Sequence, residues 1–179
     1  MLTDGNKMNV EAVLFDLDGT LIDSIGIYFQ IVEIVFEKLK LPSVPREKFA
    51  EATKDGDFDW GCVLPDHLID RKEELEKKAM DIIDDIYPDM FAKDLKLIPG
   101  ADSILQQISS DGMKIGIVTS TPEVGMSYKR QVLKIAGLEM LIEVVITADD
   151  VTNKKPAAEP LVKYLTRNLY PIDQPVIRR

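Results

Sequence analysis

The sequence predicts an α/β protein: a parallel sheet with helices on both faces, interrupted by an all-helical segment. Two observations carry this prediction. Short apolar segments typical of buried strands alternate with amphipathic helices at the start of the chain and again after residue 96. Between residues 24 and 95, here called the helical block, no segment has the pattern of a strand. We therefore expect one domain at 1–23 and 96–179 and a second at 24–95.

A short apolar strand at 10–17 comes first, with the nearly continuous run found where both faces of a sheet are covered. The helical block then begins with a strongly apolar helix at 25–40, which starts after Asp23 or Ser24. A short helix at 46–53 follows. These elements place the first strand directly before the helical block.

The longest predicted helix covers 66–87. Its apolar residues fall on one stripe, and Glu and Lys residues four positions apart form pairs on another. Pro88 is expected to end this helix, because proline lacks the N–H group that a helix interior requires. His67, the only histidine, stands at its start and is expected to be partly exposed rather than catalytic.

The alternating pattern returns after the helical block. Further strands are expected at 114–119 and 144–147, and 176–177 begins another extended segment. Thr121 is expected to cap the helix between the strands at 114–119 and 144–147, and Pro122 is expected at the first position of that helix. The residues predicted to face inward in the flanking helices are Ala101, Ile104, Leu105 and Ile108 in the first, and Leu161, Leu165 and Leu169 in the last.

The composition excludes several classes of protein. Hydrophobic residues make up 45% of the 179 residues and charged residues 30%, as in an ordinary folded protein. The net charge of -9 argues against nucleic acid and anionic membrane as partners, because both attract basic surfaces. The single cysteine, Cys62, cannot form an internal disulfide, and no segment reaches the roughly 20 apolar residues of a membrane span. We expect a soluble, cytoplasmic protein.

Polar residues follow each of the first three predicted strands. Asp16 and Asp18 come at the end of the first strand, Thr119 and Ser120 at the end of the second, and Lys155 in the loop after the third. In an open parallel sheet, ligands bind beyond the carboxyl ends of the strands. We therefore expect these groups to line one site.

The residue types in this site suit phosphate chemistry. Two neighbouring carboxylates repel each other unless a cation lies between them, and hard oxygen ligands suit Mg²⁺, which in turn suits phosphate. Asp16 could attack phosphorus to form an aspartyl-phosphate. Asp18 could protonate the leaving oxygen and then activate water.

The remaining residues suit an anion. Gly19 would let the backbone approach a phosphate, Thr119 or Ser120 offers a hydroxyl, and Lys155 supplies a fixed positive charge. Each feature alone has a common structural explanation, since Asp-Gly forms turns, Thr and Ser cap helices, and most lysines are solvated. Their placement at three successive strand ends favours the functional interpretation.

The segment Asp16-Leu17-Asp18-Gly19-Thr20-Leu21, followed by a strand ending at Thr119 and by Lys155-Pro156, resembles the haloacid dehalogenase-like superfamily of phosphohydrolases. The helical block resembles the helical cap of the subclass that includes phosphoglycolate phosphatase and β-phosphoglucomutase. The resemblance implies a Rossmann-like parallel sheet core with an inserted all-helical cap domain.

The resemblance also implies residue roles. Asp16 would be the nucleophile and a magnesium ligand, and Asp18 the general acid/base with its backbone carbonyl on the metal. Thr119 would bind phosphate and Lys155 would stabilise its charge. The leading expectation is a Mg²⁺-dependent phosphatase that acts on a small phosphorylated metabolite. A phosphomutase acting on a sugar phosphate is the near alternative.

The acidic fourth motif of the family is not found where it is expected. It should follow Val176-Ile177, where the sequence reads Arg178-Arg179. Losing that carboxylate would weaken Mg²⁺ binding, although Asp149 or Asp150 could substitute. A further alternative is therefore a catalytically impaired member that acts as a binding protein. Because the missing strand would lie against the first one, the open edge could also pair with a second copy of the chain.

Overall fold

The computed structural model describes residues 10–54 and 58–169. They contain a parallel sheet of three strands, β1 at Ala12–Phe15, β2 at Lys114–Val118 and β3 at Ile142–Ile146, in the order β1-β2-β3. Each strand lies within or overlaps a predicted one, and the α/β fold is confirmed. The extended segment predicted at 176–177 lies outside the described residues. Among the residues that are described, β1 has a hydrogen-bonded neighbour on one side only, β2.

Seven α-helices lie within the described ranges. They are α1 at Ile25–Lys38, α2 at Arg46–Ala52, α3 at Trp60–Val63, α4 at Lys72–Asp94, α5 at Ala101–Ser110, α6 at Glu123–Ile135 and α7 at Glu159–Leu169. Short 3-10 turns cover Asp66–Arg71, Glu139–Leu141 and Ala148–Asp150. None of these helices is both long and apolar enough to cross a membrane.

Successive side chains of a strand point to opposite faces of the sheet, and in this protein both faces are covered. Val13 and Phe15 pack against the cluster formed with α5 and α6. Ala12 and Leu14 pack on the opposite face, against the cluster that contains Tyr164 of α7. A separate apolar cluster fills the helical block, where the rings of Phe36 and Trp60 stack at a centroid distance of 6.3 Å.

Pro88 does not end α4, contrary to the prediction. The helix continues for more than a turn beyond it, to Asp94. Phe91, in that last part, is 1% exposed, and its ring stacks on Tyr87 with the centroids 4.1 Å apart. Burial of this ring favours the helical turn after Pro88, which opposes the cost of the hydrogen bond that proline cannot make. The predicted start is also wrong, since residues 66–71 form a 3-10 turn.

The inward face of α7 differs from the predicted leucine stripe. Leu161 and Leu165 are 47% and 45% exposed, whereas Tyr164 is 1% exposed. A Cβ atom at Gly116 of β2 would lie 2.2 Å from Cε2 of Tyr164, so the tyrosine ring occupies the space that the glycine leaves. This contact turns the tyrosine, rather than the leucines, toward the sheet. The side chain of Leu169 lies outside the described part of the chain.

A similar correction applies to α5. Ala101, Leu105 and Ile108 are buried as predicted, but Ile104 is 46% exposed. Three buried positions spaced by four and three residues already fill the face that α5 turns toward the sheet. Ile104 lies at the margin of that face.

Candidate active site

The loops at the carboxyl ends of the strands form one end of a cavity of about 750 Å³. Asp16, Asp18, Thr119, Ser120 and Lys155 all line it. The structure therefore brings together, at one end of the sheet, the predicted site residues other than Gly19. Their roles in catalysis stay predictions.

Gly19 does not line the cavity. Its φ of +73° lies in the left-handed region that glycine adopts without steric cost, and its N–H donates to the carbonyl of Ile22 at 2.8 Å. A Cβ atom at Gly19 would lie 3.1 Å from Cγ1 of Ile25. In this structure the glycine serves the turn that carries the chain from Asp18 into the helical block.

Asp16 and Lys155 form an ion pair on the cavity wall. The Lys155 ammonium group donates a hydrogen bond to Oδ1 of Asp16. The two side chains remain 42% and 33% exposed, respectively. A ligand in the cavity can therefore reach both the carboxylate and the ammonium group.

Asp18 lies in a denser network. Ser24 donates to Oδ1 of Asp18 at 2.5 Å, and Thr121 donates to Oδ2 at 2.6 Å. The ammonium group of Lys129 lies 2.6 Å from Oδ1 and 2.7 Å from Oδ2. The side chain of Lys129 is 0% exposed and that of Asp18 is 19% exposed, so this ion pair is largely buried. Here Ser24, Thr121, Lys129 and the Asp18 carboxylate are called the Asp18 cluster.

The cluster sets the charge of Asp18. Burial alone would raise the pKa of its carboxyl group, but the charge of Lys129 and the hydrogen bonds from Lys129, Ser24 and Thr121 outweigh burial and lower it. Burial also lowers the pKa of Lys129, an effect that the carboxylates of Asp18 and Asp16 oppose. Asp18 is thus held as a carboxylate at neutral pH.

Sequence reasoning missed Lys129, although a signal for it exists. Met126, Lys129 and Leu133 are all buried in α6, spaced by three and four residues. The lysine therefore occupies the apolar stripe of an amphipathic helix, where a charge requires a buried partner. Lys129 also donates to the hydroxyl of Tyr28 in the helical block at 3.1 Å, so it joins the two parts of the structure.

Thr121 does not cap α6 as predicted. Pro122 occupies the N-cap position, and the hydroxyl of Thr121 instead serves the Asp18 cluster. The free N–H group of Glu123 donates to Oδ2 of Asp149 at 2.7 Å. A carboxylate from the loop after β3 thus replaces the expected cap.

The geometry agrees with the comparison to known sequences. The model of the family described as haloacid dehalogenase-like hydrolase matches residues 13–174. The chain belongs to this family. The resemblance inferred from the motifs is therefore confirmed.

Curated relatives and solved structures extend this finding. A phosphoglycolate phosphatase of Nitrosococcus oceani is 29% identical over 85% of this chain and 67% of its own length. One of Salmonella typhi is 28% identical over 90% and 71%. A solved structure of a predicted phosphoglycolate phosphatase from Haemophilus somnus has a TM-score of 0.64 at 18% identity, over 89% of this chain and 72% of that chain. A putative β-phosphoglucomutase from Thermotoga maritima has a TM-score of 0.59 at 24% identity, over 88% and 70%. At these identities the solved structures establish a shared fold.

Asp149 and Asp150, the suggested substitutes for a metal carboxylate, do not line the cavity. Asp149 caps α6. Asp150 accepts hydrogen bonds from the N–H group of Thr147 at 2.8 Å and from Arg167 at 2.6 Å. Burial would raise the pKa of Asp150, but these hydrogen bonds lower it. Both carboxylates hold loops in place, and the described ranges contain no group of three or more metal-ligating side chains.

Proposed function

We propose that this protein hydrolyses a phosphomonoester of a small molecule through an aspartyl-phosphate on Asp16. The observation that carries the proposal is the paired Asp16 and Lys155 in a cavity also lined by Thr119 and Ser120. A carboxylate nucleophile beside a fixed cation and hydroxyl donors is suited to receive a phosphoryl group. The named activity of the phosphoglycolate phosphatases among the relatives supports the same reaction class.

The proposed reaction has two steps. An oxygen of Asp16 bonds to phosphorus while the bond to the leaving oxygen breaks, and Lys155 lies where it can stabilise the charge of the phosphoryl group. Water then attacks the aspartyl-phosphate, which releases phosphate and regenerates Asp16. The leaving oxygen gains a proton in the first step, and water loses one in the second. Protonated Asp18 can donate the first proton to the leaving oxygen, and its carboxylate can then accept the second from water, which returns Asp18 to its protonated form.

The protonation state of Asp18 affects both of these steps. Its lowered pKa makes the carboxylate the major form at neutral pH, which is the form that accepts a proton from water, but it also makes that carboxylate a weaker base. The protonated form that the first step needs is then scarce. Esters whose leaving group needs little protonation, such as phenols, should therefore react faster than alkyl esters that bind equally well.

We further propose that Mg²⁺ is the cofactor. The Asp18 carboxylate is engaged by Ser24, Thr121 and Lys129, so its main-chain carbonyl is the better candidate ligand. The Asp16 carboxylate faces the cavity and is 42% exposed, so it can take a metal ligand position beside Lys155. These donors suit Mg²⁺, which usually keeps several waters and is held by one or two carboxylates together with a substrate phosphate. The ion would supply charge neutralisation for the phosphoryl group.

The test is release of inorganic phosphate from phenyl phosphate, with Mg²⁺ and with a chelator. The wild-type protein should release phosphate with Mg²⁺, and Asp16→Asn should lower kcat by about three orders of magnitude or more. Asp23→Asn, an exposed carboxylate nearby, is the matched control and should keep its activity. Equal losses in the two variants would refute the role of Asp16. Isomerisation of a sugar phosphate without release of phosphate would identify the mutase instead.

An impaired member that binds a ligand without turnover is the second candidate. One observation favours it: within residues 10–54 and 58–169, no third carboxylate joins Asp16 and Asp18 in a metal-ligating group. A folded wild-type protein that binds phenyl phosphate but releases no phosphate at any Mg²⁺ concentration would support this candidate over the phosphatase.

A further inference from the structure

The end of the cavity opposite the aspartates is apolar. The helical block supplies this wall with aromatic and aliphatic side chains from α1, α2, α3 and α4, together with Phe58, which lies just before α3. Its most prominent members are Phe49, Phe58, Trp60, Met80 and Ile83. Phe49 and Trp60 are themselves buried, at 5% and 4% exposure, so the wall is held by the core of the helical block. The ring centroids of Phe58 and Trp60 lie 4.9 Å apart in an edge-to-face contact.

The polar groups on this wall are mostly engaged within the protein. The hydroxyl of Tyr28 accepts from Lys129 at 3.1 Å and is hydrogen-bonded to Tyr87. The hydroxyl of Thr53 donates to the main-chain carbonyls of Phe49 at 3.1 Å and Ala50 at 3.2 Å. A ligand in this part of the cavity therefore meets few groups that could replace its hydrogen bonds to water.

The described residues of this wall also carry little charge. Lys54, an exposed residue, is the only cation that the helical block contributes among the described lining residues, and no arginine lines the cavity there. A carboxylate placed away from Lys54, or a polyhydroxylated chain placed against these rings, would lose its hydration with few groups to compensate. An apolar group would gain free energy by leaving water.

We infer that the substrate carries an apolar leaving group, aromatic or alkyl, which lies against Phe58, Trp60 and Met80 while its phosphate lies at Asp16 and Lys155. This inference rests on the proposed phosphatase function and narrows its substrate class. The cavity volume, about 750 Å³, lies within the roughly 300–1,000 Å³ of sites that bind drug-sized ligands. A small substrate with a charged tail, such as phosphoglycolate, leaves most of that apolar space without a ligand.

The first test measures binding rather than turnover. Trp60 is the only tryptophan, so its fluorescence reports occupancy of the apolar wall. Asp16→Asn, which removes the nucleophile, is titrated with ethyl, butyl and hexyl phosphate and with phosphoglycolate. The dissociation constant should fall by up to about fourfold for each added methylene, because each one leaves water. Constants that do not change with chain length, or tighter binding of phosphoglycolate than of hexyl phosphate, would overturn the inference.

The second test weakens the expected preference for an apolar over a charged ligand. Met80 lines the cavity and is 46% exposed, so Met80→Arg places a cation on the apolar wall at a site that tolerates a long polar side chain. The association constant of hexyl phosphate divided by that of phosphoglycolate should fall by about tenfold or more. Met140→Arg is the matched control, because Met140 is 94% exposed and does not line the cavity. An unchanged ratio in Met80→Arg would contradict the proposed position of the leaving group.

The two proposals fail in different ways. If the alkyl series binds as expected but no ester releases phosphate, the phosphatase function is wrong and the apolar ligand class stands. If esters are hydrolysed but the short charged or sugar phosphates bind more tightly, the function stands and the inference about the leaving group is wrong.

Discussion

At the residue scale, the site is organised as two carboxylates with a lysine each. Asp16 pairs with Lys155, which is partly exposed, and Asp18 pairs with Lys129, which is fully buried. The exposed pair can rearrange around a ligand, because both partners reach the cavity. The buried pair cannot do so without leaving a charge unpaired, so it fixes the position of Asp18.

Lys129→Met should destabilise the protein and lower its activity. The substitution leaves the Asp18 carboxylate without its cation in a largely buried site, which should lower the free energy of unfolding by about 3 kcal/mol. Urea unfolding and phosphate release measure the two effects. Lys134→Met, at an exposed lysine of the same helix, is the control and should change neither quantity much. Adding Asp18→Asn to Lys129→Met should restore part of the lost stability, and no recovery would argue against direct coupling of the pair.

The lowered pKa of Asp18 predicts how stability depends on pH. The unfolded chain binds a proton at Asp18 at a higher pH, about 3.9, than the folded chain does. The contribution of this carboxylate to stability is therefore complete above that value and lost as pH falls through the folded pKa. Urea unfolding across this range should give a difference between wild type and Asp18→Asn that shrinks toward zero in acid. A difference that stays constant as the pH falls would contradict this prediction.

At the element scale, the strands and the loops after them could be predicted from the sequence. A strand buried on both faces is a continuous apolar run, and parallel strands place their carboxyl ends together, so Asp16, Thr119 and Lys155 were expected to meet. Lys129 could not be found by the same reasoning. A lysine in an amphipathic helix is ordinarily assigned to the solvated face, and its partner Asp18 lies 111 residues away.

The helix errors have a common physical cause, namely that tertiary packing overrides local pattern. Proline ends most helices, yet the buried ring of Phe91 keeps α4 helical past Pro88. Three leucines spaced by four residues suggest an inward face for α7, yet the ring of Tyr164 occupies the space that a glycine in the neighbouring strand leaves. Gly116 lies far from α7 in the sequence. Phe91 lies within α4 itself, but its burial cannot be read from its own segment.

Gly116→Ala tests the packing of α7 on the sheet. The added methyl group would lie 2.2 Å from the ring of Tyr164 and 2.7 Å from Cδ2 of Leu14, so either the helix or the sheet must move. Overpacking of this kind should lower the free energy of unfolding by about 1–3 kcal/mol, measured by urea unfolding. Gly26→Ala is the control, since Gly26 lies in α1 and, apart from its chain neighbours and the backbone of its own helix, no atom lies within 4 Å of the added group. It should instead raise stability by about 0.5–1 kcal/mol. Equal effects would show that α7 does not pack as described.

At the scale of the whole molecule, β1 is one of the two edge strands of the sheet that the described residues form. The N–H group of Lys114 donates to the carbonyl of Glu11, so in a parallel pair the main-chain groups of alternate residues, including Ala12, point away from β2. Within the described part of the chain no strand pairs with them. We propose that a second copy of the chain can pair there.

Ala12→Pro tests this edge pairing. Proline removes an N–H group that points away from β2, at the first residue of a strand, where proline is tolerated. If copies associate through this edge, sedimentation should show wild-type oligomers at high concentration and Ala12→Pro monomers under the same conditions. The free energy of unfolding of dilute protein should stay nearly the same in both. Equal association in the two proteins would exclude the β1 edge as the contact.

The spread of the Asp18 cluster along the chain has a consequence for synthesis. Ser24 follows Asp18 by six residues, but Thr121 and Lys129 follow it by 103 and 111. At the usual pace of translation, about 5–20 residues per second, the lysine emerges on the order of ten seconds after the aspartate. A nascent chain exposed only as far as the helical block has no cation for this carboxylate, which must stay hydrated until α6 is made. Catalytic activity should therefore arise late during translation, after the helical block, which forms the apolar wall of the cavity, has already been translated.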